Sequence, residues 1–373
     1  MTHQTPFPAR CTPWTTARRS LAALATVCLG SGALAGPAVT TDIAPVQSLV
    51  AQVMDGVGTP ALLVPQDASP HMLSLKPSQA KSLSQADLVI WVGPDLTPWL
   101  EKSLDSLAPD AVRLTLLEED GFEPLPFREG LAGHDDHDAH DDDHAGEDHD
   151  GHDDHSDHAD DGHDDHDEEA HDDHSGHGHD DHGDHGDHED HAAEGHAGHD
   201  HGDEDPHAWL DPTVAQAWLG LIAAHLAEVD PDNAAIYTAN AERAQAALTA
   251  LDERLQAQLA PAQTVAFVTD HDAFQYFERH YGLDWVGSVS GGDAAAPGPR
   301  RIAELQEAMA DHGVRCAFGE PQASDRLLRA ATDGTGITLG TMDPIGRNLT
   351  LGPDLYPTLL TDLAGALTAC AAQ

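Results

Sequence analysis

Positive charge is scarce in this chain. Seventeen Lys and Arg stand against 66 Asp and Glu, a formal net charge of -49 over 373 residues. A polyanion of this kind is repelled by phosphate backbones and anionic bilayers, so nucleic acid is not expected as a partner. Cysteine is scarce too: there are four, with no C-x-x-C pair, so the usual thiolate zinc and redox motifs are missing. Beyond residue 35 no apolar run approaches the about 20 residues that a spanning helix needs. HExxH is also absent, as is any nucleophile motif with a placed base, which counts against a hydrolase.

What is present is unevenly distributed. Residues 134–205 hold 32 acids, 21 His and no Lys or Arg, so the other 301 residues carry only -17. A normal globular protein is interrupted by a very abnormal segment. The segment repeats units such as His-Asp-Asp-His, at residues 152–155, 163–166 and 171–174. Imidazoles suit Zn, Cu and Ni, and carboxylates add ligands and favourable charge. Without apolar residues to offset ordering entropy, the tract is expected to be disordered, a weak multi-metal sponge rather than a selective site. Lengthening a loop to such a size costs about 2.4 kcal/mol, which a fold tolerates.

The first 35 residues read as a cleavable export signal. Arg10, Arg18 and Arg19 precede an apolar run over 21–34, and Ala33-Leu34-Ala35 offers the cleavage site. Cys11 and Cys28 leave with it. Cys316 and Cys370 remain, and in an oxidising compartment one disulfide is the economical reading, with a thiolate metal site as the rival.

The mature chain alternates strand-like and helix-like runs. Strands are expected at 39–43, 61–64, 87–92 and 112–117, with helices at 47–54, 77–86 and 97–107 between them. After the tract, Asp211-Pro212 opens one helix to about 229, and Asp230-Pro231 opens a longer one with Leu248, Leu251, Leu255 and Leu259 at helical spacing. Near 28 residues long, it would span about 42 Å. Alternation then resumes, with strands at 264–269, 285–289, 314–318 and 337–341. The pattern predicts an α/β fold of two lobes, each with a mostly parallel sheet, joined by a long helix. The boundaries are 36–229 for the first lobe, with the insertion at 134–205, then 230–260 for the linking helix and 261–373 for the second lobe.

Seven His lie outside the tract. His3 is in the leader, and His225, His280 and His312 sit in or near helices, as packed or surface residues. The other three differ. His71 lies in a loop after a strand, His207 just precedes a helix, and His271 follows an apolar strand. Ligand sites in open α/β sheets gather beyond the carboxyl ends of strands, which makes these three candidates for one shared site.

Their surroundings are also familiar. Pro70-His71 through Leu75-Lys76-Pro77-Ser78, Ala86-Asp87-Leu88-Val89, Pro206-His207-Ala208-Trp209-Leu210-Asp211-Pro212, His271-Asp272-Ala273-Phe274, Glu320-Pro321-Gln322 and Asp343-Pro344 stand in this order. Together they resemble the metal-binding substrate-binding proteins of ABC transporters, in particular the zinc (ZnuA-like) subgroup, over nearly all of the mature chain. The resemblance implies a periplasmic, monomeric, two-lobed binder that captures Zn²⁺ and delivers it to an inner-membrane ABC permease. It also implies a disulfide matching Cys316–Cys370 and His71, His207 and His271 as ligands. Asp343 matches the place where manganese-binding relatives supply a carboxylate, with water as the alternative fourth ligand. Those relatives carry Glu where this chain has His271, and imidazole favours the softer ion. Two other readings stay open: a metal buffer acting mainly through the tract, and a zinc hydrolase, since three His plus water is also a catalytic pattern.

Overall fold

A computed structural model describes Met1 and residues 36–119, 122–128, 204–294 and 297–373. The expected leader and nearly all of the His/Asp-rich tract lie outside these residues. Two four-stranded sheets, parallel throughout, make up the strand framework. The first contains β1 (Val39–Thr41), β2 (Ala61–Leu62), β3 (Leu88–Trp91) and β4 (Val112–Thr115), in the order β2-β1-β3-β4. The second contains β5 (Phe267–His271), β6 (Trp285–Ser290), β7 (Cys316–Gly319) and β8 (Thr338–Thr341), in the order β6-β5-β7-β8. Parallel pairing needs crossovers, and helices supply them. In the first half these are α1 (Ala44–Val53), α2 (Pro77–Ser84) and α3 (Pro98–Leu107).

The sheet faces explain the apolar runs. In β3, Leu88 and Ile90 point into the main core, while Val89 and Trp91 point the other way, onto Leu83 of α2 and Leu100 and Leu104 of α3. The second sheet repeats this arrangement. Phe267 enters the main core, and Val268 meets Leu305 and Met309 of α7 (Pro299–Asp311) and Leu328 of α8 (Arg326–Thr332) on the other side. A strand covered on both faces has no reason to alternate polar residues.

Two long helices pack against each other and against α1. Asp211 caps α4 (Pro212–Val229) by accepting the Thr213 N–H at 2.7 Å, with Pro212 at the first turn. The expected linking helix starts slightly later than its sequence suggests, because Pro231–Asn233 forms a separate 3-10 turn before α5 (Ala234–Leu259). Its 26 residues span about 39 Å. Near one end, Asn240 donates to the carbonyls of Val53 and Asp55 at 2.9 and 2.8 Å. Near the other, Asp252 accepts from the Tyr281 hydroxyl (2.9 Å) on α6 (Gln275–Tyr281). One helix thus holds both halves.

The last helix, α9 (Leu355–Ala371), crosses back. Its Tyr356 N–H donates to Ser48 Oγ of α1 at 3.0 Å, and its hydroxyl donates to the Trp209 carbonyl at 2.6 Å. Cys370, in its last turn, is disulfide-bonded to Cys316 at the start of β7, with Cα atoms 6.3 Å apart. No described helix is long and apolar enough to cross a membrane.

Candidate metal centre

Three segments far apart in the chain bring His71, His207 and His271 together. The ring centroids are 5.5 Å apart for His71–His207, 5.5 Å for His71–His271 and 5.1 Å for His207–His271. One ring nitrogen from each lies within 4.8 Å of the other two, and all three residues are buried. They line a cavity of about 330 Å³ together with Met72, Asp270, Glu320, Gln322 and Ile345.

Each imidazole is positioned by its own element. His71 sits in the loop between β2 and α2, which is pinned where Trp99 of α3 donates to the Pro70 carbonyl at 2.7 Å. His207 opens the 3-10 turn Ala208–Leu210, whose Trp209 donates to the Pro344 carbonyl at 2.8 Å. His271 is the last residue of β5, paired with Ser290 of β6, so the strand runs two residues further than the apolar pattern indicated. His225, His280 and His312 stay out of the site, as expected. His225 bonds the Leu221 carbonyl within its own helix, His280 lies against Asp252 at 2.8 Å, and His312 is exposed at the end of α7.

Carboxylates orient two of the rings. Asp205 Oδ1 lies 2.7 Å from His207 Nδ1 and also accepts the His207 backbone N–H at 3.0 Å. Glu320 Oε1 lies 3.0 Å from His271 Nδ1, while His271 Nε2 faces the Gly292 carbonyl at 3.1 Å. Burial, reinforced by the charge of His271, holds His207 well below its usual range and therefore neutral. With its Nδ1–H on Asp205, it offers Nε2 as the lone pair. Burial also lowers His271, but the Glu320 carboxylate, its hydrogen bond, the Gly292 carbonyl and Asp272 outweigh it and raise the pKa to about 9. Burial pushes Asp205 up to about 7 despite the His207 N–H and the charges of Arg128 and His271.

Asp343 is not grouped with the three imidazoles among the described residues. Its Oδ1 accepts from Gln322 Nε2 (2.6 Å) and from the N–H groups of Ile345 (3.1 Å) and Gly346 (2.9 Å), and its Oδ2 accepts from Arg347 N–H (2.6 Å). The carboxylate is spent on its own loop. Asp-Pro-x-Gly is a turn-forming sequence in which the Asp side chain caps the following backbone, and that local signal competes with the ligand reading.

Asp205 was the residue most easily overlooked. In composition it is one more acid of the tract, but it is 1% exposed and belongs to the ordered site. Its spacing of two before His207 was the available signal. Glu320 stood within a motif without a role, and nothing local marked it as the partner of a residue 49 positions away.

The family model for the periplasmic component A of the zinc-uptake complex, ZnuA, matches residues 39–370. The chain belongs to this family. The high-affinity zinc uptake system protein ZnuA of Paracoccus denitrificans is 45% identical over 347 residues, covering 92% of this chain and 95% of that protein. The Brucella abortus protein of the same name is 39% identical, covering 89% and 91%. Among solved structures, a ZnuA deletion mutant with zinc bound superposes with a TM-score of 0.64 at 20% identity, covering 91% of this chain and 98% of that one. AdcAII of Streptococcus pneumoniae gives 0.62 at 19%, covering 90% and 98%. At such identities these two likenesses speak for the fold: two parallel sheets with surrounding helices, as the sequence pattern implied.

Proposed function

We propose that this family member is an exported periplasmic carrier that captures Zn²⁺ through His71, His207 and His271 and delivers it to an inner-membrane ABC permease. The observation that carries the reading is the convergence of three buried imidazoles, two of them held by carboxylates through Nδ1. With Nδ1 held by Asp205, Nε2 of His207 is the nitrogen turned to the ion, while His271 Nε2 exchanges the Gly292 carbonyl for the ion on binding, and water completes the tetrahedral set. Three imidazoles, which bind as neutral nitrogen once His271 has given up its proton, suit zinc better than manganese. The relatives' names, which specify zinc uptake, support the same cargo. Neither the storage nor the hydrolase reading gains support from the site or the relatives.

Anomalous scattering at the zinc edge from zinc-loaded crystals tests the assignment. One strong peak is expected among the three imidazoles, and a dominant peak elsewhere would refute it. Calorimetry on protein lacking residues 134–201 separates carrier from store. The tight site should survive while several weak ones vanish, and loss of the tight site would move the function to the tract.

A further inference from the structure

We propose that Arg128 is a positioning residue for the metal site, clasping the segment that leads into the His/Asp-rich tract onto the second sheet and so prolonging the residence of bound metal. The inference rests on the zinc reading above and extends it to a residue outside the ligand set.

Residues 122–128 leave the first half and run across the second. Phe122 stacks on Tyr276 of α6, with ring centroids 6.3 Å apart. The Tyr276 hydroxyl accepts the Leu125 N–H at 2.8 Å and donates to the Asp205 carbonyl at 3.0 Å. The Asp205 N–H in turn donates to the Leu125 carbonyl at 2.7 Å, and Pro126 pairs with Glu204 in an antiparallel bridge. The two roots of the tract are therefore tied to each other, and both to α6.

Arg128 completes the tie. Its guanidinium donates to both carboxylate oxygens of Asp272 and, at 2.7 Å, to Glu278 Oε2. Its Cζ also sits over the Trp285 ring, 3.4 Å from the centroid. Only Arg offers a planar fork that can pair with two carboxylates and stack at once. Both acids are buried, at 5% and 4% exposure.

Each anchor point adjoins a ligand. Asp272 directly follows His271. Phe127 packs on Gly292, where a β-carbon would collide with the ring, and the Gly292 carbonyl faces His271 Nε2. Asp205, held by Leu125 and Tyr276, orients His207. One short segment thus touches the supports of two of the three imidazoles without supplying a ligand itself. A buried ion cluster is an inefficient source of stability but a specific way to fix a geometry. That is the requirement of a site in which ligand placement decides how long an ion stays.

The test is stopped-flow release of zinc from the full mature chain into excess chelator, reading the slowest phase, with thermal unfolding of each variant alongside. Arg128→Ala is expected to speed that phase by about 10- to 100-fold, the range for groups that orient ligands. Arg128→Lys, which keeps the charge but loses the fork and the stacking, should fall between wild type and Arg128→Ala. The double variant Arg128→Met/Glu278→Gln removes the carboxylate left without its partner at α6. It should regain part of the lost thermal stability, Asp272 still lacking its partner, and still release zinc fast. Recovery of slow release together with stability in the double variant would reduce Arg128 to charge compensation and overturn the proposal. An unchanged slow phase in Arg128→Ala would overturn it as well. Absence of any slow phase in wild type would overturn the zinc reading and this inference with it.

Discussion

The two sheets share one strand order, yet their central strands end in opposite circumstances. β1 runs into Thr41-Asp42-Ile43, and β5 ends with Thr269-Asp270-His271. Asp42 is fully buried, its carboxylate accepting the N–H groups of Ile43 (2.7 Å) and Val92 (2.8 Å), and Ile43 enters the main core. Asp270 and His271 instead line the cavity. In the first half the exit of the neighbouring strand seals the position. In the second, Glu320 and the Gly292 carbonyl hold the His271 ring at the cavity wall. Topology supplies the strand end as a place for a ligand, but single residues decide whether that place becomes core or site.

The largest expected contrast lies in the paired positions Ile43 and His271. In protein lacking residues 134–201, His271→Ala should weaken zinc binding by about 10³-fold or more, about 4 kcal/mol, because two imidazoles cannot close a tetrahedral site. Its cost in metal-free stability, from leaving Glu320 without its imidazole, should be the smaller of its two effects. Ile43→Ala should do the reverse, costing about 2–4 kcal/mol of stability through the cavity it leaves while changing zinc affinity only a few-fold. Competition titration and denaturant unfolding of both variants check this. Equal effects on both readouts would break the comparison.

A second difference is the covalent staple, present on β7 and without counterpart on the first sheet among the described residues. Replacing Cys316 and Cys370 with Ser should cost about 2–5 kcal/mol, with zinc affinity falling less than stability. Thiol labelling of the native protein gives the direct check, and two freely reactive thiols would remove the basis for this expectation.

The smallest effect concerns Asp42. Burial, partly offset by its backbone hydrogen bonds, raises it from 3.8 to about 7. The folded chain therefore keeps a proton that the unfolded chain gives up above about pH 4. Stability should fall as pH rises from about 4 to 7 and level off above that. Between pH 5 and 7, wild type should lose about 1–2 kcal/mol more than Asp42→Asn, measured by denaturant unfolding at both pH values. Equal losses would mean that the sealed strand end carries an ordinary, ionised carboxylate.

Much of the fold was legible because local patterns fix local structure. Apolar runs such as residues 88–92 demanded a strand covered on both faces, and Asp211-Pro212 announced a helix start. The leucines of α5 marked its buried stripe. Boundaries were less secure where pairing rather than composition ends an element. β5 runs on through Asp270 and His271 because β6 offers Ser290 opposite His271, which no apolar count reveals.

By itself the sequence determined the alternation of elements, the long helix, the two cysteines available for a staple and three His at positions suited to a strand-end site. Those features depend on residue type and short-range spacing, which folding cannot alter. The tertiary structure alone decided which polar groups meet. It turned Asp343 onto its own loop, drew Asp205 out of an acidic tract to hold His207, set Glu320 against His271 and carried Arg128 across to Asp272 and Glu278. A buried carboxylate bonds to whichever donor the packing brings within about 3 Å. For Glu320 and Arg128 those partners lie 49 and up to 150 residues away in the chain, beyond the reach of any local pattern.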